Sequence, residues 1–281
     1  MPAVLVTGAS TGIGEATARR LATRGHQVFA GVRQAADGER LKAAVCENLV
    51  PVLLDVTDED QVEAAAQMVG QRLGTTRFAG VVNNAGVARG GPLEYLSLED
   101  WRFQFEVNVF GQIAVTRAFM PLIREGHGRV VFVGSISGRY ATPLMGPYAG
   151  SKFAIEAIAE SLRHELHPWG LKVSVVEPGA VKTAIWEKGR KLVDELLDRF
   201  PPEAIDRYRE MIDQVQAGIE FQDANGIEPV AVARVIEHAL FSARPKPRYL
   251  VGRDARAAGH LVRFLPDRAK DALIRAVSNR L

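Results

Sequence analysis

Three residues could do chemistry together: Ser135, Tyr148 and Lys152. Tyr148 and Lys152 stand four apart, so on a helix both project from one face. Pro147 just before them suits the first turn of a helix, where no backbone N–H is needed. Ser135 lies thirteen residues before Tyr148, where the apolar run Val130–Val133 gives way to a Gly/Ser-rich loop. Such a run reads as a buried strand. A hydroxyl, a phenol and an ammonium thus converge at the mouth of a sheet. A free tyrosine, with a pKa of ~10, is a poor base at neutral pH. An ammonium a few ångströms away favours the phenolate and lowers that value. The phenol can then exchange a proton with a carbonyl or alcohol oxygen that Ser135 holds. The hydride that completes such a reaction cannot come from a side chain, so a cofactor is required. A Tyr and a Lys one turn apart also arise by accident on many helices, so the rest of the chain has to decide.

The elements that must position them alternate from the first residues onward. Strands are expected at Ala3–Val6, Gln27–Val32, Val50–Leu54, Ala79–Val82, Val130–Val133 and Val173–Val176. Helices are expected at Ile13–Ala22, Gly38–Cys46 and Glu59–Leu73, in one or two pieces over Leu98–Ile123, and from Tyr148. Apolar strands separated by helices imply a parallel sheet covered on both faces. Right-handed crossovers make it doubly wound, with a ligand crevice at the C-terminal ends of its strands. The first strand–helix turn, Thr7-Gly8-Ala9-Ser10-Thr11-Gly12-Ile13-Gly14, is glycine-rich where a helix N-terminus presents N–H groups to phosphate. Its Gly-x3-Gly-x-Gly spacing differs from the commonest dinucleotide fingerprint.

The turn at Thr7–Gly14, the run Asn83-Asn84-Ala85-Gly86, Ser135 with Tyr148-x3-Lys152, and Pro178-Gly179 follow one another in a fixed order. In that order and spacing the chain resembles the short-chain dehydrogenase/reductase family, densely over Met1–Thr183 and more loosely at Val230–Val251. The resemblance implies a seven-stranded Rossmann sheet and a nicotinamide cofactor. It places Gly8, Ser10, Thr11, Gly12, Ile13 and Gly14 at the phosphates, Asp55 and Val56 at the adenine, and Asn84, Ala85 and Gly86 beside the adenine-side ribose. It further implies that Lys152 tunes Tyr148 and holds the nicotinamide ribose. Asn108 would hold a water in a proton relay through Lys152. Pro178, Gly179, Val181 and Thr183 would lie on the nicotinamide end. Asp58 fits the cap of the helix from Glu59 better than Asp55 does.

Cofactor choice turns on the end of the second strand, where an Asp or Glu selects NAD(H). Here Val32 stands at that place and Arg33 follows. An arginine can clasp a 2′-phosphate through paired charge-assisted hydrogen bonds, so NADP(H) is the expected cofactor, with NAD(H) the alternative. A solvated surface Arg paired with Asp37 is the competing reading of Arg33.

Ile185–Ile219 carries many large apolar residues around Pro201-Pro202 and reads as two short amphipathic helices. In the family that position covers an apolar substrate, so a lid over about 184–225 is expected. Arg89, Arg139, Met145 and Trp186 would help shape the pocket, with Ser135, Tyr148, Met145 and Trp186 touching substrate. A steroid, retinoid or long-chain carbonyl compound would suit it. The tail 253–281 reads as a helical extension with a stripe at Ala269, Ala272, Leu273, Ala276 and Val277. It suits docking on its own domain or a partner subunit better than lying on a membrane surface.

The chain has 281 residues, 47% of them hydrophobic, with 35 Lys and Arg against 33 Asp and Glu. That size and core suit a single α/β domain, 1–252, plus the extension, and the charge balance gives no pull toward nucleic acid. One cysteine, Cys46, cannot form an internal disulfide, which with no visible signal peptide points to the cytoplasm. No metal enters this reading. The expectation is an oxidoreductase on an alcohol or carbonyl group, working as a homodimer or homotetramer. A nucleotide-sugar isomerase or dehydratase shares the Tyr-x3-Lys pair but not this turn, and a silent cofactor-binding regulator would not need an intact Ser/Tyr/Lys set.

Overall fold

A computed structural model describes the whole chain except Cys46, residues 184–190, Leu192, Leu196 and residues 279–281; side chains are described only to residue 276. Seven strands form one sheet, all parallel: β1 (Ala3–Val6), β2 (Gln27–Val32), β3 (Leu49–Leu53), β4 (Phe78–Asn83), β5 (Arg129–Val133), β6 (Lys172–Pro178) and β7 (Arg248–Val251). Their order is β3-β2-β1-β4-β5-β6-β7, so the chain reverses direction between β1 and β4. That reversal opens a crevice beyond the C-terminal ends of these two strands.

Alternation along the strands explains the two-sided burial. Ala3 and Leu5 of β1 face one core layer, while Val4 and Val6 face the other. Helices α3 (Glu59–Leu73), α5 (Gly111–Glu125) and α6 (Gly146–Leu166) cover the first layer with Val69, Phe119 and Ile155. Helix α1 (Gly12–Thr23) and the later α8 (Pro229–Phe241) cover the second with Leu21 and Ile236, joined by Leu41 of α2 (Ala35–Ala43). Asp58 caps α3 by accepting from the Gln61 N–H, as its place before the helix requires.

One expected helix shifts, and three expected helical stretches gain detail. Helix α2 starts at Ala35, three residues earlier than Gly38, and ends at Ala43. The segment from Leu98 forms two α-helices, α4 (Leu98–Phe105) and α5, joined by a π-helical turn over Glu106–Phe110. As expected, Pro201-Pro202 separates two helical stretches: residues 191, 193–195 and 197–199 are helical before it, and the helix after it is longer than expected. Pro202 occupies the first position of one 24-residue helix, α7 (Pro202–Asn225), where its missing N–H is harmless. The tail folds as two helices, α9 (Arg253–Phe264) and α10 (Asp267–Ser278). Cys46, Ile185, Trp186, Leu192 and Leu196, each singled out in the sequence, lie outside the described residues. Among the described residues no helix is long and apolar enough to cross a membrane.

Candidate active site

The crevice is built by the turns that follow β1 and β4. The Thr7 hydroxyl accepts from the N–H groups of Asn84 and Ala85, both at 3.0 Å. The Asn84 amide answers by donating to the carbonyls of Thr7 (2.9 Å) and Gly8 (3.1 Å). Gly8 turns at φ +62°, and a side chain there would press on the Ala85 backbone. Gly14 is held closer still, for a Cβ would lie 2.2 Å from the Gly8 carbonyl oxygen. Thr11 gives α1 no side-chain cap, so the first-turn N–H groups at Gly12, Ile13 and Gly14 are left for an outside acceptor. This shallow, amide-lined cradle fits a dinucleotide pyrophosphate. Thr183 stands over it, its methyl 3.1 Å from where a Gly12 Cβ would be, and Ser10 offers its carbonyl to Arg40.

At the adenosine side, Val32 is buried and Arg33 exposed. Asp37 pairs with Arg40 at 3.8 Å, not with Arg33, whose guanidinium has no ion pair among the described residues. Asp55 accepts from the Thr57 N–H (3.0 Å) and hydroxyl (2.8 Å), which shapes the turn after β3 beside buried Val56.

Ser135 leaves β5 and opens a 3-10 turn, Ile136–Gly138, by accepting from the Ser137 N–H. Its hydroxyl stands near enough to the Tyr148 phenol to favour the ionised form. Lys152 is 5% exposed, donates to the Val133 carbonyl at 2.9 Å, and lies 5.7 Å from the centre of the Tyr148 ring. Burial draws its ammonium down to about 8, against the pull of Glu156. The expected lowering of Tyr148 is not what the structure gives. Burial raises the phenol above its ordinary value, and the nearby Ser135 hydroxyl only partly opposes this.

Asn108 is fully buried in the π-helical turn. Its side chain accepts from the Val87 N–H (2.8 Å) and donates to the Val87 carbonyl (3.0 Å) and the Ser151 hydroxyl (3.1 Å). Gln104 braces the same strand end, donating to the Val87 carbonyl and accepting from the Arg89 N–H. Sequence reading missed Gln104 and Ser151, since neither belongs to a motif. Met145 ends the loop before α6, next to Gly90, and Leu144 beside it holds a left-handed φ of 63°. Arg139 directs its Nε and Nη2 to the buried Glu177 carboxylate, both at 2.8 Å. Arg89 pairs with Glu195 and covers the Phe103 ring. Trp186 lies outside the described residues.

A third missed residue is Asp254 in the first turn of α9. Its carboxylate accepts from the Ala180 N–H at 2.7 Å. The fit leaves no room for a side chain at Gly179, where a Cβ would sit 2.0 Å from that carboxylate. Gly179 donates to the Val251 carbonyl, and Val181 forms a bridge with Ile227 just beyond α7.

A model of the short chain dehydrogenase family matches residues 2–193. The chain belongs to that family. Retinol dehydrogenase 16 of Homo sapiens is 36% identical over 280 residues, covering 98% of this chain and 88% of that protein. Two solved relatives share the fold at 26% identity. A Burkholderia cenocepacia short chain dehydrogenase in complex with NADP has a TM-score of 0.74 and covers 97% of both chains. A Burkholderia phymatum short chain dehydrogenase/reductase in complex with NAD has a TM-score of 0.78 over 98% of this chain and 95% of that one. The protein is an NAD(P)-dependent oxidoreductase of the short-chain dehydrogenase/reductase family. The amide cradle, and half-buried Tyr148 between buried Ser135 and Lys152, are the parts of this structure that suit it to that cofactor.

Proposed function

We propose that this enzyme interconverts the alcohol and carbonyl forms of a bulky apolar compound of steroid, retinoid or long-chain type, using NADP(H). The observation that carries the catalytic part is the convergence of Ser135, the Tyr148 ring and the buried Lys152, whose Nζ lies 5.7 Å from that ring's centre. When bound, the nicotinamide supplies or accepts the hydride. Tyr148 exchanges the proton with the substrate oxygen, and Ser135 holds that oxygen in line. A phenol whose proton burial secures is suited to donating toward a carbonyl. Lys152 places a positive charge under the ring and offers N–H groups to the nicotinamide ribose. Asn108 uses its side chain to fix the Val87 segment, so its place in a proton relay would rest on its backbone carbonyl. Gly8, Ser10, Thr11, Gly12, Ile13 and Gly14 hold the pyrophosphate, Asp55 and Val56 the adenine, Asn84 to Gly86 the ribose, and Pro178, Gly179, Val181 and Thr183 the nicotinamide end.

The preference for NADP(H) is supported by a buried valine where an acid would repel a 2′-phosphate and by the unpaired Arg33 beside it. The apolar substrate is supported by the name of the human relative and by the residues after Thr183. There Phe200 and Ala204 are buried against Leu96, with Tyr95 beside them, forming the base of a lid. A homodimer or homotetramer is supported by Phe110, 54% exposed, and Phe153, 44% exposed, on neighbouring helical faces. The test is a panel of retinoid, steroid and aliphatic alcohols and carbonyls assayed with both cofactors. We expect kcat/KM to climb with apolar bulk and Tyr148→Phe to lower kcat by ~10²–10⁴-fold with the fold intact. A variant keeping more than about a tenth of wild-type turnover refutes the role of Tyr148.

A further inference from the structure

Behind the catalytic lysine lies a buried charge cluster that the reaction above does not use. Glu156 follows Lys152 by one helical turn on α6 and is 9% exposed, while Glu177 of β6 is fully buried. Arg248 of β7 donates to Glu156 Oε2 at 2.7 Å and stands 3.8 Å from Glu177 Oε1. Arg248 also binds the more exposed Glu160, and Arg139 grips both oxygens of Glu177. Glu156 Oε1 is left buried without a donor. It points at the Gly134–Gly138 segment, where a Cβ on Gly134 would lie 3.4 Å away. The two carboxyls are nonetheless within hydrogen-bonding reach of one another. Two bare carboxylates cannot bond, and side by side they repel. A single proton resolves both the orphan oxygen and the repulsion, with Glu156 as its donor to Glu177.

We propose that Glu156 and Glu177 share one proton, and that its release leaves a negative charge one turn from Lys152 that keeps the Lys152 ammonium in place. Glu156 is thus a positioning residue acting through Lys152. The charged groups facing it are Glu177, Arg248, Arg139, Glu160 and Lys152 itself. Arg248 stays protonated throughout the working range and Glu160 stays ionised, so the shared proton is the one that moves. Burial and Glu177 lift the Glu156 carboxyl to about 7, into the range where Lys152, drawn down by burial to about 8, also titrates. As the carboxyl loses its proton, Lys152 faces a new anion across a poorly screened gap.

This inference rests on the role given to Lys152, and its test has one arm that does not. Glu156→Gln keeps the shape, can donate to Glu177 and accept from Arg248, and never ionises. In the full-length protein, the alkaline limb of its kcat/KM profile should move about one unit to lower pH. That corresponds to ~10-fold less activity on the alkaline side. A purely structural loss would lower the profile evenly, and Glu156→Asp should restore part of the limb. Independently of turnover, difference infrared spectra of the wild type should show a protonated carboxyl that disappears across neutral pH and is missing in Glu156→Gln. An alkaline limb that does not move, or a wild type with no such carboxyl, overturns the proposal. Should Glu156→Gln fail to fold, the wild-type infrared titration alone decides. A protein that turns over nothing yet shows the titrating carboxyl would instead count against the role of Lys152.

Discussion

Gly14→Ala tests the cradle with a single methyl group. In an exposed helix the exchange would help, since alanine exceeds glycine in helix propensity by ~1 kcal/mol. Here the added Cβ would lie 2.2 Å from the Gly8 carbonyl oxygen and 2.5 Å from the Asn84 amide nitrogen. A carbon–oxygen contact settles at ~3.3 Å or more, so α1 and the loop must part by roughly 1 Å. The displaced Asn84 amide holds two hydrogen bonds, to Thr7 and Gly8, each contributing ~1 kcal/mol. Losing both outweighs the propensity gain, leaving a net cost of ~1 kcal/mol and a melting temperature lower by a few degrees. Cofactor binding should suffer more, because a displacement of ~1 Å at a positioned site can cost up to ~10²-fold. Titration with NADP(H), followed by tryptophan fluorescence, and thermal melts with and without cofactor measure both effects. A variant that melts higher than the wild type, or binds cofactor equally well, refutes the reasoning.

Arg33→Ala should lose most of the preference for NADP(H), a change of roughly tenfold to over a hundredfold, with little change toward NAD(H). The kcat/KM ratio for the two cofactors checks it. Asp254→Ala removes the acceptor of the Ala180 N–H; KM for the cofactor should rise by ~3–10-fold and Asp254→Asn should recover most of the loss. An unchanged KM would show that Gly179 and Ala180 hold their place without the helix. Stability offers a pH test of the carboxyl pair. Because folding raises the Glu156 carboxyl from 4.5 to about 7, its contribution is whole below the lower value and lost as pH rises through the higher one. Up to about 3 kcal/mol is at stake. The melting temperature of Glu156→Gln, followed from about pH 5 to about pH 8, should therefore lack a decline that the wild type shows.

The order of the strands and the residues at their ends were legible because parallel sheets leave periodic and punctuated traces. Apolar runs, the Gly-rich turn and the Tyr148–Lys152 spacing are local patterns, and local patterns survive in a one-dimensional text. The misread elements each turn on something spacing does not carry. A π-helical turn adds one residue to a helix without changing its composition, so Glu106–Phe110 reads as plain helix. The prolines at 201 and 202 mark where a helix must be interrupted, but not that the one starting there runs on for 24 residues to Asn225. The direction of the Tyr148 shift depends on burial, which belongs to the folded whole. Asp254 meets Ala180 across 74 residues and Arg139 meets Glu177 across 38, so neither contact has a signature in its own segment.

The backbone bridge between Val181 and Ile227 ties two distant segments into one. Lys182 donates to the Ile227 carbonyl and Ile227 donates to that of Ala180, so the segment proposed to hold the nicotinamide is stitched to the chain just beyond the end of α7. The two hydrogen bonds make a mechanical couple: a substitution that shifts the end of α7 is felt at Ala180–Lys182, far from it in sequence, without touching any residue proposed to meet the cofactor.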